Sequence, residues 1–230
     1  MAKRQQTQGV CQLCQSMFIK SGMTRHLTKC LADHEAEPAA SKRPAKTVRL
    51  LRLVVEGKYN PEYWLQVEMP ATATLRDLDD FLRNIWLECC GHLSAFEIGG
   101  IQYSVETAKK AGGSWFMYDR EERSMDVAIG KVLSADMKFT YEYDFGSTTH
   151  LALRVVGERA GHASKERVRL LARNEPPQIL CEECKVNPAA WVDVFENQGW
   201  LCEKCNENAE EGVLPVVNSP RVGVCAYTGD

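Results

Sequence analysis

No stretch of this chain stays apolar for the roughly 20 residues that a membrane-spanning helix needs. Its first ten residues, MAKRQQTQGV, hold no apolar core of a secretory signal. Both absences lead to the expectation of a cytoplasmic protein with no membrane partner. Thiols stay reduced there, so a disulfide framework is excluded as the reason for ten cysteines. Internal repeats and long low-complexity tracts are missing too, which argues against a repeat architecture. The chain also lacks a glycine-rich phosphate loop and an H-R-D loop. Its D-F-G run, Asp144 to Gly146, is therefore no kinase signature and reads instead as a hairpin turn.

What is abundant is metal-ligand spacing. Cys11, Cys14, His26 and Cys30 read C-x2-C-x11-H-x3-C, and Cys181, Cys184, Cys202 and Cys205 read C-x2-C-x17-C-x2-C. A C-x2-C knuckle offers two thiolates from one tight turn, and a second pair completes a tetrahedron around zinc. Four protein ligands leave no open position for water. The expectation is two structural Zn²⁺ ions, one at each end of the chain. Phe18 and Met23 stand at the two small-core positions of a ββα finger, which residues 1–31 resemble. His26 and Cys30 are one helical turn apart. Counting back from His26, the base-reading positions of such a finger fall on Arg25, Gly22 and Ile19, of which only Arg25 suits a base edge. Within the ribbon, Trp191, Val192, Val194, Phe195 and Trp200 suit a short hairpin between the knuckles. Cys89 continues an apolar stripe and reads as core beside Cys90 on the same helix. Cys225 reads as a lone thiol in an apolar, Pro/Gly-punctuated tail that packs across the surface, open to a reactive-thiol or a metal-ligand role although a lone cysteine usually has neither.

Charge divides the chain. Residues 1–49 hold nine Lys/Arg against three acids, and residues 176–230 hold three against nine. A basic finger suits a polyanion, with Lys3, Arg4, Lys20, Arg25 and Lys29 as candidate phosphate contacts. An acidic ribbon suits protein docking better.

Between the zinc motifs, residues 32–47 (ADHEAEPAASKRPAKT) read as a flexible linker. A globular region follows over 48–175, and the ribbon with its tail occupies 176–230. Val48–Glu56 and Tyr63–Met69 predict one hairpin. Phe139, Tyr141, Tyr143 and Phe145, followed by Leu151, Leu153 and Val155, predict another. Thr74, with Asp77 three residues on, predicts a helix start. Leu75, Leu78, Leu82, Ile85 and Cys89 form its stripe, and Gly91 marks its end. Phe96–Val105 around Gly99-Gly100 predicts a strand pair or one bulged strand, Ser124–Leu133 a short helix and Val168–Ala172 a further strand. The order is α+β, with a β-grasp-like mixed sheet on one long helix.

Two separated runs carry a family resemblance. LRDLDDFLRNIWLECCGHLSAFEIGGIQY (75–103) supplies an H-L-x-x-F segment through His92, Leu93 and Phe96. FTYEYDFGSTTHLALRVVGE (139–158) supplies Y-D-F-G through Tyr143 to Gly146. Together they resemble the Ri-plasmid open-reading-frame-three-like domain over roughly 48–173. Many members continue D-x-W-x-H after the glycine, where this chain has Ser147-Thr148-Thr149-His150. The resemblance implies a β-grasp-like fold and a plasmid or mobile-element setting, and it brings no reaction with it.

The expected function is a zinc-binding adaptor or nucleic-acid-associated protein without catalytic activity of its own. The alternative is an enzyme whose central cleft uses Asp119, Asp126 and Asp144 with His92 or His150.

Overall fold

In the computed structural model the described residues are 6–35, 47–105, 121–162, 164–194, 199–207 and 212–229. The fold is mixed α+β, dominated by one large sheet. Its strands are β1 (Gln8–Cys11), β2 (Met17–Ile19), β3 (Thr47–Gly57), β4 (Trp64–Pro70), β5 (Ser94–Ile98), β6 (Ile101–Ser104), β7 (Glu122–Ser124), β8 (Lys138–Tyr143), β9 (Thr149–His162) and β10 (Arg169–Asn174). They run in the order β2-β1-β10-β4-β3-β9-β8-β5-β6-β7. A smaller sheet, in the order β12-β11-β13, joins β11 (Trp191–Asp193), β12 (Trp200–Leu201) and β13 (Val213–Pro215). The helices are α1 (Lys20–Glu35), α2 (Leu75–Leu82), α3 (Ile129–Val132) and α4 (Glu203–Asn206).

Both predicted hairpins form. Leu53 pairs with Val67 across β3 and β4, and Tyr141 pairs with Leu151 across β8 and β9. The strict alternation of Phe139, Tyr141 and Tyr143 sends all three to the buried face. The Gly99-Gly100 turn joins β5 to β6, and β10 supplies the further strand. The core holds Leu51, Leu53 and Val55 of β3, Leu75, Leu78 and Leu82 of α2, and Phe96, Tyr141 and Leu153 opposite them.

Thr74 caps α2 as its spacing predicts. Its hydroxyl accepts from the Asp77 N–H at 3.1 Å, and its own N–H donates to the Asp77 carboxylate at 2.7 Å. The helix is shorter than the stripe implies. Its α-helical part ends at Leu82, and a wider π turn covers Arg83–Leu87. Glu88 is already extended, so Cys89 and Cys90 lie beyond the helix rather than on it. The cause is local. The Glu88 carboxylate accepts from the Gly91 N–H at 2.5 Å and folds residues 88–91 into a turn. A sheet wrapped on one long helix is therefore not the arrangement seen. The predicted helix over 124–133 reduces to the single turn α3.

The finger is not set apart from the central sheet. β1 pairs antiparallel with β10 through Gly9–Asn174, Val10–Arg173 and Cys11–Ala172. Met23, Leu27, Cys30 and Leu31 share one buried cluster with Trp64, Leu171 and Ala172. The indole N–H of Trp64 donates to Thr7 at 3.0 Å. The linker assignment falls largely on 36–46, outside the described residues, and α1 runs on to Glu35.

Candidate metal centres

The two predicted ligand sets each come together. Cys11, Cys14, His26 and Cys30 place one donor atom apiece so that all lie within 4.8 Å of one another, and Cys181, Cys184, Cys202 and Cys205 do the same. Both first knuckles are built alike. The N–H of Gln15 donates to the Cys11 carbonyl at 2.9 Å, and that of Lys185 to the Cys181 carbonyl at 3.0 Å. Gln15 and Lys185, each following the second cysteine, take positive φ values of 60° and 57°. This left-handed residue closes the turn so that two thiols point inward.

The spacings can be tested against a tetrahedron. A Zn–S bond of about 2.3 Å and a Zn–N bond of about 2.0–2.1 Å put two sulfurs about 3.8 Å apart, and a sulfur and nitrogen about 3.6 Å apart. Cys11 and Cys30 are 3.9 Å apart, as are Cys184 and Cys202, while Cys14 Sγ is 3.2 Å from His26 Nε2. A disulfide would need about 2.05 Å. The side chains fit a soft, four-coordinate ion. Each site buries two of its four donor residues, Cys11 and Cys30 in one, Cys181 and Cys202 in the other. Phe18 stacks on His26 with ring centroids 4.4 Å apart, which fixes the imidazole. In the ribbon, the Asn187 amide points at Cys202 Sγ at 3.7 Å, and the indole of Trp191 donates to Glu203 at 3.0 Å. Phe195, expected in this hairpin, lies outside the described residues.

A third group meets the same criterion: Cys89, Cys90, His92 and Cys225. Its residues are not joined by a C-x2-C spacing, and in the sequence Cys89 reads as core and Cys225 as a lone thiol of the tail. The usable signal is the run Cys89-Cys90-Gly91-His92, which puts three candidate donor residues on one turn. This group lies where the two family motifs meet. His92 Nε2 is 3.6 Å from the Asp144 carboxylate, and its ring meets Tyr143 edge-on. Asp144 shapes its turn as expected, accepting the N–H groups of Gly146 and Ser147 at 3.0 and 3.2 Å. Burial raises the Asp144 carboxyl, but the Arg221 guanidinium and those two N–H groups outweigh it and hold its pKa below the ordinary value.

Beneath this group runs a buried polar chain. The Asp79 carboxylate accepts from Tyr141 and Ser94 at 2.6 Å each and from Arg83 at 2.8 Å. Arg83 also donates to Glu88 at 2.9 Å and to the His92 carbonyl at 2.7 Å. Tyr143 donates to Glu88 at 3.0 Å, and the guanidiniums of Arg83 and Arg221 both sit 4.8 Å from its ring centroid.

The residues proposed for a catalytic cleft are dispersed. Asp126 is paired with Arg76 at 2.5 Å, and His150 lies 3.2 Å from Glu142. Asp144 and His92 lie 3.6 Å apart, and Asp119 falls outside the described residues. Among the proposed nucleic-acid contacts, Lys3 and Arg4 also lie outside them. Lys20 is tied to Glu56 and donates to the Pro61 carbonyl at 3.3 Å, so the fold uses it to dock α1 on the sheet. Arg25 and Lys29 are exposed on α1. Among the described residues no helix is long and apolar enough to cross a membrane.

The described residues thus form a ten-stranded mixed sheet, with one cysteine cluster near each terminus of the chain and a third where the two motifs meet. The family model described as Plasmid pRiA4b ORF-3-like protein matches residues 49–182, more than half of the chain, and the chain belongs to that family. Among solved structures, the crystal structure of a protein of unknown function from Methanosarcina mazei Go1 is similar. It is 16% identical, the match covers 54% of this chain and 68% of that one, and the TM-score is 0.45. No curated protein matches the chain.

Proposed function

We propose that this family member is a zinc-stabilised adaptor without catalytic activity of its own. Structural Zn²⁺ at the two terminal clusters stiffens its contact surfaces, and the acidic ribbon docks a protein partner. One observation carries the reading: each terminal cluster brings four protein donors within 4.8 Å. A shell filled by the protein leaves no site for a reacting water. The separate pairing of Asp126 with Arg76 and of His150 with Glu142 supports the same view. Metal analysis of the gently purified, reduced full chain tests it. Cys11→Ser and Cys181→Ser should each remove one zinc equivalent. If neither variant changes the zinc content, the adaptor has no terminal zinc and the reading fails.

Contact with nucleic acid through the finger is the second reading, favoured by exposed Arg25 and Lys29 four residues apart on α1. With Lys20 engaged by Glu56, Arg25 and Lys29 are the proposed contacts left exposed among the described residues. Binding should therefore be weak, little selective and steeply salt-dependent. Titrating a duplex DNA fragment at low salt with the full chain and with Arg25→Ala/Lys29→Ala decides it. Equal mobility shifts for both proteins remove this reading and leave protein docking.

A further inference from the structure

The turn after α2 is fastened from beneath. Glu88 holds the Gly91 N–H, and Arg83 holds the His92 carbonyl, so Cys89, Cys90 and His92 are presented together at the surface. The C-terminal tail is fastened over the same spot. Ser219 donates to the Trp86 carbonyl at 2.6 Å, at the end of the π turn. Arg221 is fully buried and donates to Asp144 at 2.8 Å, to Thr149 at 3.0 Å and to the Ser147 carbonyl at 3.1 Å. A turn follows, in which the Val224 N–H meets the Arg221 carbonyl at 3.0 Å. It delivers Cys225 in a left-handed conformation, φ 56°, uncommon for a residue with a β-carbon and maintained only where surroundings dictate it.

We propose that Cys89, Cys90, His92 and Cys225 form a third metal site for Zn²⁺ or a similar thiophilic divalent ion, and that this ion latches the C-terminal tail to the motif junction. The inference uses residues apart from the terminal clusters and stands or falls separately from them. Cys90 and Cys225 sulfurs are 3.9 Å apart, and Cys225 Sγ is 3.7 Å from His92 Nε2. Both values match the tetrahedral spacings of about 3.8 and 3.6 Å, and the sulfur pair is far from disulfide length. Three thiolates and a neutral imidazole on a divalent ion carry one net negative charge. The Arg221 guanidinium, 3.5 Å from Cys89 Sγ, lies where it offsets that charge, while Asp144 is already bound to the same guanidinium. Cys90 and Cys225 are exposed, whereas each terminal cluster buries two cysteines. The third ion is therefore the most accessible to competing ligands and leaves first.

The test is a Co²⁺ titration of the reduced full chain, followed by zinc content and hydrogen exchange. Wild type should take three equivalents. Cys225→Ser and Cys90→Ser should each take two, with the far-ultraviolet spectrum retained. Limiting chelator should remove one equivalent and speed exchange over 216–229 at least tenfold, while β3 and β9 stay protected. Equal metal content in wild type and both variants overturns the proposal, as does a Cys90–Cys225 disulfide as the sole species in non-reducing mass spectrometry. Two ions confined to Cys11–Cys30 and Cys181–Cys205 would leave the adaptor reading intact and remove the third site.

Discussion

Gly9 sits where the finger meets the central sheet, and replacing it measures that joint. A β-carbon there would lie 2.5 Å from the Arg173 carbonyl oxygen and 2.5 Å from the Trp64 ring. One neighbour is backbone of the paired strand, and the other is a tryptophan only 1% exposed. Neither can yield a whole ångström without separating β1 from β10. Overpacking of this kind costs about 1–3 kcal/mol, and backbone on one side puts Gly9→Ala toward the upper end. For a protein of this size that is a fall in Tm of roughly 2–12 °C. Gly22 is the internal control. A β-carbon at Gly22, on α1, finds its nearest neighbours at 3.5–3.7 Å, an ordinary contact. Gly22→Ala should therefore stabilise by up to about 1 kcal/mol through helix propensity. The assay is urea denaturation of the zinc-loaded chain, with limited proteolysis reporting release of residues 6–35. If Gly9→Ala and Gly22→Ala shift the midpoint equally, or Gly9→Ala not at all, β1 is not a strand of the large sheet. The finger would then be the separate unit that its linker suggests.

Two further outcomes follow from the buried polar groups. Arg221→Met leaves the Asp144 carboxylate, only 8% exposed, without its cation and should cost about 3–5 kcal/mol in denaturation. Burial and the neighbouring Asp79 push the Tyr141 phenol well above its usual value. The stability it supports is complete below the ordinary tyrosine pKa of about 10 and is lost as pH rises beyond it. Tyr141→Phe should lower stability at neutral pH by about 1.5–3 kcal/mol and flatten the alkaline limb of a Tm-against-pH curve. An unchanged limb would show that Tyr141 does not control it.

The elements that were legible in the sequence are those whose signals are local. Alternation at Phe139, Tyr141 and Tyr143 fixes a strand face because the side-chain period of a strand is two. Thr74 and Asp77 fix a helix start because both partners of the capping box lie within one turn. The terminal ligand sets are readable because a knuckle is a local object. The missed features depend on residues far apart in sequence. Gln8–Cys11 is too short to announce a strand, and its partner β10 stands near the other end of the globular region. Cys89 fits an apolar stripe because it does pack against the main core, so its other role is hidden by a correct observation. The end of the helix depends on one carboxylate, Glu88, turning back to Gly91, and periodicity carries no mark of that.

Separation along the chain also sets what each cluster can do for the fold. Cys11 and Cys30 are 19 residues apart and Cys184 and Cys202 are 18 apart, whereas Cys90 and Cys225 are 135 apart. Closing a loop costs entropy that grows as (3/2)RT times the logarithm of its length, so the long closure exceeds the short ones by about 1.7 kcal/mol. A terminal ion needs little chain brought together and can organise a module nearly by itself. An ion at Cys89, Cys90, His92 and Cys225 would instead join the turn after α2 to the tail, across a separation of 135 residues. It acts on a folded core, and what it controls is whether the tail stays down. The long closure is also held by Arg221 and Ser219, whose bonds to Asp144 and to the Trp86 carbonyl anchor the tail beside Cys225.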